Sequence, residues 1–261
     1  MEGIAKTMAC GPVISLAHMR CGDCPIRHRA VCSTCGPQEL AELDRIKTYR
    51  TYAAGEVLAW AGDRLTTLGS IVRGAATLSR TLPDGRRQMV GLLLPANFLG
   101  RPGRKFVEFD VVAVTETMVC TFRREEFERM IERSPALGRR LLEMTLDELD
   151  AARDWMLLLG RKTARERVAS LFLMMAQREA ALRTPAKTGD DIVFPLYLTR
   201  EAVADYLGLT VETVSRQITA LRRDDVIRLE ENRMVHVPDL ERLGAETGDD
   251  EGGGPGLRDC G

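Results

Sequence analysis

Residues 198–216 constrain the fold most, because their pattern predicts two short helices joined by a tight turn. Thr199 can cap the first helix with its side chain, and Gly208 can adopt the left-handed backbone conformation that ends it. Thr210 then begins a second helix. Its apolar residues recur at steps of three and four: Val211, Val214 and Ile218. One face of this helix is therefore predicted to pack, and the other to face solvent.

The solvent face of the second helix carries side chains suited to the major groove of DNA. Arg216 can donate two hydrogen bonds to guanine, Glu212 can accept one from cytosine, and Ser215 can reach a thymine or a phosphate. The residues expected to hold phosphates are Thr199, Thr210, Thr213, Arg222 and Arg223. Arginine outnumbers glutamate over residues 210–223, although the net charge of the chain is -1. A surface helix with solvated charges is the alternative.

The region before these helices predicts a β domain followed by a long helix. Short β-prone pieces at 68–73, 75–82, 88–94 and 111–122 are separated by turn residues, which favours a small antiparallel roll or an unspecialised β domain. Leu40, Leu43 and Ile46 predict a short amphipathic helix ahead of them, and residues 227–237 predict a two-stranded wing with its turn at 231–232.

A helix beginning after Pro135 has apolar or small residues at heptad spacing. These are Leu142, Thr145, Leu149, Ala152, Met156 and Leu159. The spacing favours a parallel dimer seam over packing within one domain. The small Ala152 and polar Thr145 would weaken that seam, so a few kcal/mol could switch it. A further helix is predicted over about 163–179.

Four of the seven cysteines lie between residues 21 and 35. No apolar run is long enough to span a membrane, and the N-terminus lacks a secretory pattern, so we expect a cytoplasmic protein without membrane contact. Thiols stay reduced there, which favours metal binding or redox sensing over disulfides. Residues 239–261 are rich in glycine and acidic residues and are predicted to be disordered, which makes Cys260 incidental.

The run Leu-Gly-Leu-Thr-Val-Glu-Thr-Val-Ser-Arg at 207–216 resembles the Fnr-type, oxygen-responsive branch of the Crp/Fnr superfamily of bacterial regulators. Residues 156–160 and 117–120 resemble the same branch. The resemblance implies an α+β fold: a β-roll of the cyclic-nucleotide-binding, jelly-roll type, a long dimerisation helix and a winged helix-turn-helix. The expected divisions are 1–36 for a cysteine-rich segment, 37–135 for the roll, 136–162 for the dimerisation helix, 163–238 for the DNA-binding domain and 239–261 for the tail.

The resemblance also implies a ligand set and partners. Cys21, Cys24, Cys32 and Cys120 have the spacing of the alphaproteobacterial Fnr-like group, in which four cysteines hold a [4Fe–4S] cluster. A homodimer would bind TTGAT-N4-ATCAA-like palindromes at low oxygen and contact RNA polymerase, with the 82–87 loop a candidate surface. The stretch 97–104 lacks the Gly-Glu and Arg-Ser pairs with which Crp binds cyclic AMP, so cyclic-nucleotide sensing is not expected.

The residues alone leave three alternatives to an oxygen-sensing iron–sulfur regulator. Structural zinc could bind Cys21, Cys24, Cys32 and Cys35 as a CxxC…CxxC set without Cys120. The regulator could respond to nitric oxide, haem or a small effector instead of oxygen. A thiol oxidoreductase using one CxxC pair has the least support, because the chain lacks the alternating strands and helices of a thioredoxin-like fold. We therefore expect a regulator and not an enzyme.

Overall fold

The computed structural model describes residues 19–182, 191–230 and 233–249. Its N-terminal half is a roll of two four-stranded antiparallel sheets, ordered β1-β8-β3-β6 and β2-β7-β4-β5. The strands are β1 (Lys47–Tyr52), β2 (Val57–Ala59), β3 (Thr67–Arg73), β4 (Ala76–Thr81), β5 (Arg87–Leu93), β6 (Phe98–Leu99), β7 (Asp110–Ala113) and β8 (Thr117–Arg123). The predicted roll and α+β class are confirmed. The predicted piece 111–122 is two strands, since the chain turns between β7 and β8.

Two helices cover the outer face of the first sheet, α1 (Pro37–Ile46) and α2 (Arg124–Arg133). Residues alternate across a strand, so Met118, Cys120 and Phe122 of β8 face these helices while Val119 faces the roll interior. Phe127 of α2 is fully buried there, with its ring 5.2 Å from that of Phe122. This outer layer, and not the roll interior, holds the cysteine loop.

A long helix, α3 (Pro135–Arg161), leaves the roll as predicted. Ser134 caps its start by accepting a hydrogen bond from the Leu137 amide, and Pro135 occupies the first turn, where a missing N–H costs nothing. Much of the helix lies on the surface of the chain, with Leu146 and Leu157 about half exposed at 51% and 53%. Exposed apolar side chains along one helix are typical of an interaction surface.

The C-terminal half surrounds one apolar core with helices and a three-stranded sheet of order β10-β11-β9. Its elements are α4 (Ala164–Leu182), β9 (Ile192–Pro195), α5 (Arg200–Leu207), α6 (Val211–Arg223), β10 (Arg228–Glu230), β11 (Met234–Val237) and α7 (Leu240–Ala245). The two wing strands are confirmed; their predicted turn at 231–232 lies outside the described residues. Strand β9 was not predicted, because its four residues are too short a pattern to identify.

The disorder predicted from residue 239 onward is wrong for 239–249. Asp239 caps α7, and Leu243 is fully buried in the C-terminal core. The Lys162 ammonium lies 2.6 Å from the Asp249 carboxylate, an ion pair with both side chains largely buried. The glycine-rich composition hid this short anchored segment. The rest of the predicted tail, with Cys260, lies outside the described residues.

Candidate DNA interface and cysteine site

The predicted pair of helices is present as α5 and α6, with the predicted caps. Thr199 accepts a hydrogen bond from the Ala202 amide, and Thr210 accepts one from Thr213 at 3.2 Å. Gly208 has a φ of 62°, the left-handed conformation that lets α5 end and α6 begin at once. The tight turn holds α6 in a fixed orientation on the core.

The buried face of α6 differs from the prediction at one end. Val214 and Ile218 are buried as expected, and Leu221 continues that face into the core. Val211, predicted to pack with them, is instead 40% exposed because it stands in the first turn of the helix, at the edge of the core. The packed stripe therefore begins one turn later than the spacing indicates.

The opposite face of α6 presents the three predicted base-reading side chains together. Glu212 and Arg216 are strongly exposed and form an ion pair of 2.7 Å, with Ser215 half-buried beside them. An exposed pair one helical turn apart contributes little to stability. Either side chain can therefore leave this ion pair and contact a base edge at a small cost in free energy.

Of the predicted phosphate-binding residues, Arg222, Arg223, Thr199 and Thr210 are exposed, and Thr213 is half-buried. Two arginines that the sequence pattern did not single out, Arg200 and Arg233, lie close enough for their positive charges to interact. Burial lowers the pKa of Arg200, and the positive charges of Arg233 and Arg222 lower it further. Its Nη1 atom is buried without a hydrogen-bond partner. Such crowded positive charge favours an anionic partner at the edge of the helix pair.

The loop that carries Cys21, Cys24, Cys32 and Cys35 is packed against the outer face of the first sheet. Ile26, Ala30 and Val31 are buried there and anchor it. The Cys21 amide donates to the Asp44 carboxylate at 2.8 Å, and Arg27 donates from inside the loop to the Ser33 carbonyl at 2.7 Å. The loop is thus held by apolar burial together with hydrogen bonds to its own backbone and to α1.

The structure brings Cys120 of β8 under this loop. Burial raises the pKa of the Cys120 thiol, and the negative charges of Cys21, Cys24 and Cys32 raise it further. Burial also raises the pKa of Cys21 to about 12 and those of Cys24 and Cys32. All four thiols lie in one buried layer and resist ionisation there, and a bound cation would relieve the repulsion between their thiolate forms.

Cys35 stands at the other end of the loop. Its pKa is raised to about 12 by burial, then by the carboxylate of Glu39 and the thiolate of Cys32. Within residues 19–182, 191–230 and 233–249, no three Cys, His, Asp or Glu side chains are arranged to hold a single metal ion. Cys120 and three loop cysteines together offer four thiols in an apolar layer, a donor set that suits an iron–sulfur cluster or, in a different arrangement, zinc.

Three hydrogen bonds join the cysteine loop to the helices beyond the roll. Arg140 of α3 donates from Nη2 to the Arg29 carbonyl at 3.0 Å, and Thr34 donates to the Ala136 carbonyl at 3.3 Å. His28 Nε2 lies 3.2 Å from the Ala181 carbonyl at the end of α4. The loop thus touches both the long helix and the first helix of the C-terminal half, a link that the sequence pattern did not predict.

The predicted seam on α3 is an exposed stripe over most of its length. Leu142, Leu149 and Met156 are 58%, 44% and 67% exposed. Thr145 and Ala152 are also exposed. Leu159 differs, since it is half-buried against the C-terminal core of its own chain.

Comparisons with known proteins agree with this architecture. Residues 49–134 match the cyclic nucleotide-binding domain and residues 166–246 the Crp-like helix-turn-helix domain. The transcriptional activator protein FnrL of Cereibacter sphaeroides is 60% identical over 235 residues, which are 90% of this chain and 94% of that protein. The chain belongs to the Crp/Fnr family of transcription regulators.

Other Crp/Fnr relatives support the assignment. The transcriptional activator protein anr of Pseudomonas aeruginosa is 30% identical, covering 90% of this chain and 96% of its own. The solved structure of FixK2 from Bradyrhizobium japonicum is 30% identical with a TM-score of 0.69, covering 78% of this chain and 99% of that one. The family consists of DNA-binding regulators and not of enzymes, so α5 and α6 form a helix-turn-helix that binds DNA.

Among the described residues, no helix combines the length and apolar character needed to cross a bilayer.

Proposed function

We propose that this chain is an oxygen-sensing transcription activator of the Fnr type. A [4Fe–4S] cluster bound by Cys21, Cys24, Cys32 and Cys120 would allow a homodimer to bind TTGAT-N4-ATCAA-like palindromes at low oxygen. The observation that carries the proposal is that Cys21, Cys24 and Cys32 pack in the same buried layer as Cys120, in a loop hydrogen-bonded to both α3 and α4.

The cysteines would supply the ligands of the cluster, and their positions in the fold determine which segments ligation joins. When bound, an iron–sulfur cluster provides a group that oxygen can oxidise and disassemble. Cys120 is fixed in the middle of a strand, whereas Cys21, Cys24 and Cys32 lie on the segment before α1, with Cys21 in a single 3-10 turn, Cys21–Asp23. Ligation therefore ties a loop to a sheet, and loss of ligation leaves the loop held only by its apolar anchors and hydrogen bonds.

The loop is positioned to pass this change to the dimer helix. Arg140 and Thr34 join it to the first two turns of α3. The exposed stripe beginning at Leu142 follows directly along the same helix and would meet a second copy. Because Thr145 and Ala152 weaken that seam, a small shift of α3 would separate the two subunits. One half-site alone binds poorly, so DNA affinity would fall.

The role as an activator follows the relatives, whose names describe transcriptional activators. Contact with RNA polymerase is our inference from that role. In the roll, the 82–87 loop is an exposed candidate surface. Its turn is closed by backbone hydrogen bonds, from the Leu82 amide to the Arg86 carbonyl at 2.8 Å and from the Gly85 amide to the Leu82 carbonyl at 2.9 Å. A fixed, exposed hairpin between β4 and β5 is suited to contacting another protein.

The experiment is a gel shift on a TTGAT-N4-ATCAA duplex under argon and in aerated buffer, with the wild type and the Cys24→Ser variant. We expect tight binding by the wild type under argon only, and weak binding by Cys24→Ser in both atmospheres. Circular dichroism should show the same helix content for both proteins.

A duplex with both TTGAT half-sites scrambled is the control for non-specific binding. Wild-type binding that is equal under argon and in air would overturn oxygen sensing. Unchanged anaerobic binding by Cys24→Ser would overturn control by the cysteines and leave a DNA-binding regulator with another stimulus.

A further inference from the structure

Cys120 is flanked by two hydroxyl side chains in the plane of the sheet. In the antiparallel register, Tyr49 of β1 pairs with Cys120 on one side and Ser70 of β3 pairs with it on the other. Residues directly opposite each other on antiparallel strands project from the same face. Tyr49, Cys120 and Ser70 therefore form a row beneath the cysteine loop.

Both hydroxyls in this row are buried and lack a hydrogen-bond partner. Ser70 is only 3% exposed. Native proteins pair nearly all buried hydroxyls, because an unpaired one loses its hydrogen bonds to water without replacement. Two unpaired hydroxyls on either side of one thiol indicate that an acceptor absent from the described residues belongs between the row and the loop.

A buried positive charge completes the surroundings. The Lys47 side chain, 9% exposed, places its ammonium 3.6 Å from the Cys21 sulfur and 5.4 Å from the centre of the Tyr49 ring. It also donates to Asp44 and to the Met19 carbonyl at 2.5 Å. Burial raises the pKa of Cys24, and the Tyr49 hydroxyl is among the groups that oppose this rise. The Tyr49 hydroxyl nevertheless makes no hydrogen bond of normal geometry to Cys24.

We propose that Tyr49 and Ser70 are positioning residues that donate hydrogen bonds to the sulfur atoms of the bound cluster, with Lys47 adding positive charge beside Cys21. This inference rests on the proposed function and deepens it. An iron–sulfur cluster on four thiolates is anionic, and its sulfur atoms accept hydrogen bonds. The row and the lysine thus set how readily the cluster gives up an electron.

The sign of the effect follows from charge. Hydrogen bonds and a nearby cation stabilise the more electron-rich state of a cluster, so they raise its reduction potential. Without them an electron passes more easily to dioxygen, which is the oxidant. Removing a donor should therefore lower the potential and hasten the loss of the cluster in air.

The test uses Tyr49→Phe and Ser70→Ala, which remove only the hydroxyl oxygens. Tyr52→Phe is the matched control, since Tyr52 lies on the same strand and packs against the roll interior. The proteins are purified without air. Reduction potential is measured by anaerobic titration, and cluster loss is followed as bleaching of the visible absorption in aerated buffer.

We expect brown proteins in every case, with lower potentials and several-fold faster bleaching for Tyr49→Phe and Ser70→Ala than for the wild type and Tyr52→Phe. If Ser70→Ala is colourless but folded by circular dichroism, Ser70→Thr, which keeps a hydroxyl, should restore the colour. If all the proteins are brown and have equal potentials and equal bleaching rates, the role of the two hydroxyls is overturned and the proposed function is not. A colourless wild type would overturn the proposed function and this inference with it.

Discussion

The recognition helix and the cysteine site are built in opposite ways. The helix-turn-helix draws its caps, its turn and its reading face from one uninterrupted run of the chain, and its charged side chains are exposed. The cysteine site joins a loop to residues of β1, β3 and β8 and is largely buried. The part that reads DNA is therefore local, whereas the part proposed to sense oxygen depends on the packing of the roll.

This difference assigns the two regions different tasks. A self-contained helix pair can keep its shape while the rest of the molecule moves. A site assembled from distant segments, and joined to α3 and α4 through hydrogen bonds, changes its surroundings when its ligand is lost. Switching should accordingly separate the two subunits and their recognition helices, and not alter the reading face of either helix.

The largest expected effect comes from the core beneath the cysteine site. Phe127→Ala removes a fully buried ring that packs on Phe98 and Phe122, which should lower the stability of the roll by about 3–5 kcal/mol. The counterpart Ile218→Ala, on the buried face of α6, should cost about 2–5 kcal/mol in the C-terminal half. Denaturant unfolding by circular dichroism measures both losses.

Iron content separates these two variants. Phe127→Ala should lose iron, because its cavity loosens the sheet that carries Cys120. Ile218→Ala should retain wild-type iron while binding DNA more weakly. Loss of iron from both would show that the two regions are not independent in the way described.

The next largest effect distinguishes base contacts from phosphate contacts on the recognition helix, α6. Arg216→Ala should cost about 1–3 kcal/mol on the palindrome, roughly 5- to 150-fold in Kd, with little change on scrambled DNA. Arg222→Ala should weaken binding to both duplexes alike and reduce the salt-dependence slope by about 1. Titration at several salt concentrations provides the measurement. An equal loss on both duplexes for Arg216→Ala would contradict its reading role.

The smallest effect tests the link between the regions. Arg140→Gln removes the hydrogen bond from α3 to the cysteine loop and should reduce the oxygen-dependent difference in DNA affinity by about 0.5–2 kcal/mol without loss of iron. Arg153→Gln is the control, because Arg153 lies on the same helix and pairs at 2.9 Å with an exposed Asp150. Identical behaviour of the two variants would place the coupling elsewhere.

The same contrast explains what the sequence could predict. The caps, the Gly208 turn and the reading face of α6 depend on neighbours a few residues away, so spacing is enough to identify them. Residue spacing also predicted the roll, and the resemblance singled out Cys120. Tyr49, Ser70 and Lys47 could not be predicted, because only the strand register sets them beside the cysteines. Arg200 and Arg233 were missed for the same reason, since the wing returns to the helix pair only in three dimensions.

The most direct test of the central claim is the iron and acid-labile sulfide content of protein purified without air, for the wild type, Cys120→Ser and Cys35→Ser. A cluster on Cys120 and three loop cysteines predicts about four iron and about four sulfide per chain in the wild type and in Cys35→Ser, with little of either in Cys120→Ser. Zinc in place of iron in the wild type, or full iron in Cys120→Ser with loss in Cys35→Ser, would contradict the account.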